Sequence, residues 1–121
     1  MWIYKNDEGD DQFLDSQWEC LLRGLVVDVI RNRDDIGNRP VVVFQPKEGR
    51  YVKGETSLDA FTHIEDAVYY FGHSHRHMRV EELSGLNVVA KVYIPIDEGT
   101  ELFSNQAGAI VLWDRRLKQS G

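Results

Sequence analysis

Pro40-Val41-Val42-Val43-Phe44-Gln45-Pro46-Lys47-Glu48-Gly49-Arg50-Tyr51-Val52-Lys53 reads as strand, turn, strand. Val41 to Phe44 are β-branched or aromatic, the side chains that fit a pleated surface. Pro46-Lys47-Glu48-Gly49 supplies turn chemistry, and Gly54 ends the second run. Strands joined by so short a turn pair antiparallel. The segment therefore predicts a β-hairpin and, with it, a largely antiparallel sheet.

Upstream of the hairpin, Ser16-Gln17-Trp18-Glu19 has the form of a capping box, in which serine and glutamate satisfy each other's unpaired backbone amides at a helix start. Trp18, Leu21, Leu22, Leu25, Val26, Val29 and Ile30 come next at spacings of three and four, one apolar stripe of a helix running to about Arg31. Asn32 to Arg39 is polar and ends before Pro40, so it is expected to turn.

Downstream, Thr56-Ser57-Leu58-Asp59 offers a second helix start. Leu58, Phe61, Ile64, Val68 and Phe71 supply its apolar face, and Gly72 its stop. Val80 to Leu86 is expected to hold a helical turn. Val88, Ala90, Val92, Ile94 and Ile96 alternate as in a strand, Glu101 to Phe103 forms a short return strand, and Ala109 to Trp113 a last buried one. The expectation is a single α+β domain over residues 1–121, with four to six largely antiparallel strands packed against two helices.

The 121 residues suffice for one core without metal or disulfide staples. A hydrophobic fraction of 42% with 28% charged residues is that of a folded globular chain. Fourteen Lys and Arg against twenty Asp and Glu give a net charge of −6, which opposes direct binding to nucleic acid or an anionic membrane. Cys20 is the sole cysteine, so no internal disulfide forms, and it reads as a small buried apolar residue of the first helix. Without a leader at Met1 to Lys5 or an apolar run of membrane-spanning length, the sequence points to the cytoplasm.

The candidate chemistry lies in two clusters. His73, His75 and His77 alternate in Gly72-His73-Ser74-His75-Arg76-His77, and an extended backbone would project all three imidazoles to one side. Neutral imidazoles so placed suit Zn²⁺, Fe²⁺ or Ni²⁺, whereas the bland alternative is a solvated, histidine-rich linker needing no cofactor. Asp7, Glu8, Asp10 and Asp11 form an acidic stretch that can steer a basic partner. His63 reads as a structural histidine on the second helix, and Gly24 as a point of close packing.

Two family resemblances attach to these residues. Gly72-His73-Ser74-His75 resembles the metal-ligating Gly-His-Ser/Thr-His block of the metallophosphoesterases, but the Asp-x-His and Gly-Asn-His blocks of that family are absent. Val92-Tyr93-Ile94-Pro95 followed by Gly99-Thr100-Glu101 resembles the rhythm of small ADP-ribosyltransferase domains, with Phe61-Thr62-His63-Ile64-Glu65 as a nucleotide-side match. Gly108-Ala109-Ile110 stands where that family's catalytic glutamate is expected.

A small acidic domain without a catalytic constellation fits a stoichiometric inhibitor that binds a protein with a basic surface, as immunity proteins, antitoxins and phage counter-defence proteins do. The alternatives are a small metal-dependent enzyme built on His73, His75 and His77, or a nucleotide or small-ligand binding domain.

Overall fold

The computed structural model describes residues 1–4, 12–25, 27–45, 55–71, 80–96 and 104–120. Their strands and helices are β1 (Trp2–Tyr4), α1 (Gln12–Leu25), β2 (Asp28–Ile30), β3 (Pro40–Phe44), β4 (Glu55–Ser57), β5 (Val68–Phe71), β6 (Asn87–Tyr93) and α2 (Ser104–Ser120). Single 3₁₀ turns occupy Arg33–Ile36, Leu58–Ala60 and Val80–Leu83.

The sheet order is β2-β1-β5-β3-β6-β4, and every described pairing is parallel. This overturns the antiparallel expectation. The neighbours of β3 are β5 and β6, neither of them adjacent in sequence, and the Arg50 to Lys53 arm of the expected hairpin lies outside the described residues. The composition of the central strands gives the physical reason. Val41-Val42-Val43-Phe44 and Val68-Tyr69-Tyr70-Phe71 are buried at every position, as in strands covered on both faces, which is the habit of parallel sheets.

Each face has its own core. On one, Ile3, Val42, Phe44, Tyr69, Phe71 and Val92 receive Trp18 and Leu22 from α1 and Val111 and Leu112 from α2. Phe44 and Phe71 stack there with ring centroids 4.9 Å apart. On the other, Tyr4, Val41, Val43, Val68 and Tyr70 meet Ile30 and Ile36, with Leu83 and Leu86 at the margin. Among the described residues no long helix packs on this second face. The Arg33 guanidinium donates to the Glu82 carbonyl at 3.0 Å through Nη2 and so ties the 33–36 turn to the 80–83 turn.

Three elements differ from their sequence reading. The first helix ends at Leu25, and Val29 and Ile30 belong to β2. The second expected helix is instead β4, a 3₁₀ turn, an irregular segment with a turn at Glu65 and Asp66, and β5. Spacings of three and four among Leu58, Phe61, Ile64, Val68 and Phe71 coexist with a continuous apolar run, and the β-branched and aromatic content of residues 68–71 decides for strand. The expected last strand, Ala109 to Trp113, is the middle of α2. The reading of β3 holds, as do the helical turn after Val80 and the strand through Val88 to Val92, which ends at Tyr93. Among the described residues no helix is long and apolar enough to cross a membrane.

Candidate functional site

Parallel strands bring all their carboxyl ends to one edge of the sheet. The chain leaves β3 for β4 on one side and returns to β5 on the other, so β3 marks a reversal in strand order. Open α/β sheets bind ligands at such reversals, outside the carboxyl ends. Here the edge is formed by Phe44 of β3, Phe71 of β5 and Tyr93 of β6.

Gln45 continues β3 into this edge, its backbone N–H donating to the Val92 carbonyl at 3.1 Å. Its side-chain Nε2 donates to Glu55 Oε1 at 2.5 Å. Glu55 in turn lies in register with Lys91, and Ser57 with Tyr93, across the β4–β6 pair. Gln45, Glu55, Ser57, Lys91 and Tyr93 are half-buried. Glu55 Oε2 is shut off from solvent and has no hydrogen-bond partner among the described residues. A closed-off carboxylate oxygen without a donor is unfavourable by about 1–3 kcal/mol, so the position would gain from any donor that an opening of the edge brings to it. Sequence reading missed this cluster, because Gln45 and Glu55 meet only through the insertion of β6 between β3 and β4.

A second polar constellation crosses the core. His63 Nδ1 is 2.5 Å from the Tyr69 hydroxyl, and Nε2 is 2.7 Å from Asp114 Oδ2. Lys118 Nζ lies 2.9 Å from the same carboxylate oxygen and donates to the carbonyls of Leu58 and Phe61 at 2.6 and 2.8 Å. The His63 ring stacks on Tyr69 and meets Phe61 edge-on. Burial lowers the His63 pKa below 6.5, against the opposing pull of Asp114. Asp114 is itself held below its ordinary value: burial pushes it up, but hydrogen bonds from His63 and Lys118 outweigh that.

The ionised Asp114 accepts from Nε2–H, which leaves Nδ1 to accept from the tyrosine hydroxyl. An acid–histidine–hydroxyl chain of this kind has the connectivity of a nucleophile relay. Tyr69 is nevertheless fully buried, and burial pushes its pKa up to about 12, so no substrate reaches it and no phenolate forms near neutrality. The constellation is structural, as expected for His63, although the residue lies in an irregular segment and not on a helix.

His73, His75 and His77 lie outside the described residues, as do Asp7, Glu8, Asp10 and Asp11. The histidine segment comes after the carboxyl end of β5 in the chain, and the acidic stretch after that of β1. Among the described residues no group of three or more His, Cys, Asp or Glu side chains is arranged to hold a metal ion. Cys20, expected to be buried, is exposed, with Arg23 Nη2 3.6 Å from its sulfur. Gly24 has nothing within 4 Å of where a Cβ would stand, so it is not a point of close packing.

No family model matches the sequence, and a search of curated proteins finds no match. Among solved structures, the chain is similar to a probable methylase family protein from Haemophilus influenzae Rd KW20, with a TM-score of 0.69 and 9% identity. The match covers 96% of this chain and 64% of the other, so the chain spans less than two thirds of that protein's length. At this identity the likeness is one of fold.

Proposed function

We propose that the chain binds an adenosyl-type methyl donor at the carboxyl edge of β3, β5 and β6 and serves methyl transfer. The observation that carries this reading is the fold match to a probable methylase over 96% of the chain. A shared fold is an analogy and function resides in the site, so the residues at the edge must suit the ligand. The carboxylate of Glu55 and the amide of Gln45 supply polar groups there, and the closed-off Oε2 of Glu55 would accept from an adenosyl hydroxyl or amino group once the edge opens to admit the ligand. When bound, such a donor supplies a methyl group on a sulfonium sulfur for direct displacement by an acceptor. The chain's own part is to orient the donor against the rigid strand ends, with Gln45 and Glu55 holding its polar atoms.

Calorimetric titration of the whole protein with S-adenosylmethionine and S-adenosylhomocysteine, with ATP as control, tests the reading. Saturable binding of both adenosyl compounds and not of ATP is the expected result. Absence of binding overturns it.

The second reading is a protein-binding inhibitor, favoured by the net charge of −6. It requires a protein with a basic surface whose association slows when Asp7, Glu8, Asp10 and Asp11 are reversed to Lys, because rim charges act mainly on the on-rate. A partner recovered without any adenosyl binding decides for this reading.

A further inference from the structure

The His63 constellation joins three parts of the molecule that are distant in sequence: the 58–63 segment, the middle of β5, and the second half of α2. Lys118 donates to two carbonyls of that segment, Leu58 and Phe61, while Asp114, one turn earlier, receives both Lys118 and His63. With only 3% of its side chain exposed, His63 has no water to exchange for these contacts. We infer that His63 is a proton-operated latch, and that uptake of one proton by its imidazole releases the second half of α2 from the 58–63 segment.

The charges around the ring give the reason. From α2, Asp114, Arg115 and Lys118 act on His63, and from β5 the Tyr69 hydroxyl faces it; Phe61 contributes an apolar ring. One carboxylate is thus already matched by two cations. A protonated imidazole would add a third positive charge on a ring that is itself closed off from solvent, and burial of an unmatched charge is unfavourable. Protonation also places a hydrogen on Nδ1. The Tyr69 hydroxyl must then accept instead of donate, and its own hydrogen needs a new acceptor in a region closed to water. The loss of the neutral tautomer therefore strains both ends of the chain of hydrogen bonds. Relief comes by opening the element with exposed side chains on its far face, and α2 carries Trp113 and Leu117 more than half exposed.

NMR titration of the His63 ring together with hydrogen-exchange protection of backbone amides tests the latch in the intact chain. As pH falls from 7 through the titration of His63 below its ordinary 6.5, protection in the Leu112 to Lys118 turns should fall, whereas Trp18 to Leu22 of α1 should change less. In His63→Gln, which keeps a neutral side chain, the protection of α2 should not vary over that range. The idea is overturned if His63 titrates at or above 6.5, or if α2 keeps its protection through the titration. Should His63→Gln not fold, the wild-type ring titration and its protection profile decide alone.

Discussion

A Cβ built on Gly108 of α2 would lie 2.2 Å from Cη2 of Trp18 in α1. The two helices meet there at a separation that only glycine allows, and Trp18, itself 2% exposed, fills the space a side chain would need. Trp18 also stands edge-on to Phe71 at 5.6 Å, so it cannot withdraw without disturbing β5.

Gly108→Ala should therefore destabilise. Helix propensity alone favours alanine by about 1 kcal/mol, but overpacking against a rigid indole costs about 1–3 kcal/mol or more, and the overlap is too deep for a small adjustment. Gly24→Ala in α1 is the control, since a Cβ there meets nothing within 4 Å and should stabilise by up to about 1 kcal/mol. Chemical denaturation of both variants should show midpoints moving in opposite directions. Equal shifts would mean that the helices do not approach as described.

Acid should weaken the fold in two stages. His63 has a depressed folded pKa, so its contribution is complete above the unfolded value of 6.5 and is lost as pH falls through the folded value. Asp114 is depressed below 3.8, so its contribution persists to lower pH and is lost only below that value. Denaturation midpoints measured from pH 8 to pH 3 should fall first below 6.5 and again below 3.8. In Asp114→Asn the second fall should shrink. A stability flat between pH 7 and pH 5 would contradict the burial of a neutral His63.

Local elements were legible in the sequence where one signal acted alone. Val41-Val42-Val43-Phe44 could only be a strand, and the stripe from Trp18 to Leu25 could only be a helix. Legibility failed for Val68-Tyr69-Tyr70-Phe71 and for Ala109 to Trp113, because a continuous apolar run fits a buried strand and a buried helix alike. Direction failed for a different reason. Whether β3 pairs antiparallel or parallel is decided by β5 and β6, which lie 24 or more positions further along the chain. The sites share that origin: His63 and Asp114 are 51 residues apart, and Glu55 meets Gln45 only once β6 separates β3 from β4.

Glu55→Gln separates ligand recognition from stability at the carboxyl edge. The amide preserves an oxygen for Gln45 Nε2 and removes a buried charge whose second oxygen lacks a donor, so folding stability should change by less than about 1 kcal/mol. Adenosyl binding should weaken about tenfold, because a hydrogen bond to a charged acceptor contributes about 1.5–3 kcal/mol. Calorimetry and denaturation on the same preparation check both. Unchanged affinity together with raised stability would make Glu55 a strained structural residue and not a ligand contact.

Replacing His73, His75 and His77 together with Gln probes the segment that follows β5 in the chain. Substitutions in a solvated linker, which is how the sequence of this segment reads, usually change stability by less than about 0.5 kcal/mol, and the glutamines keep polar side chains at all three positions. The expected outcome is an unchanged denaturation midpoint with weakened adenosyl binding, since the segment begins directly beyond the carboxyl end of β5. Elemental analysis of untagged wild-type protein should accompany the comparison, because neutral imidazoles at this spacing are competent ligands for zinc or iron. Metal at one equivalent per chain, lost in the triple variant along with much of the stability, would reverse the interpretation. Metal binding coupled to folding would then make the histidines a metal site, and the metal-dependent enzyme would displace the methyl-transfer reading.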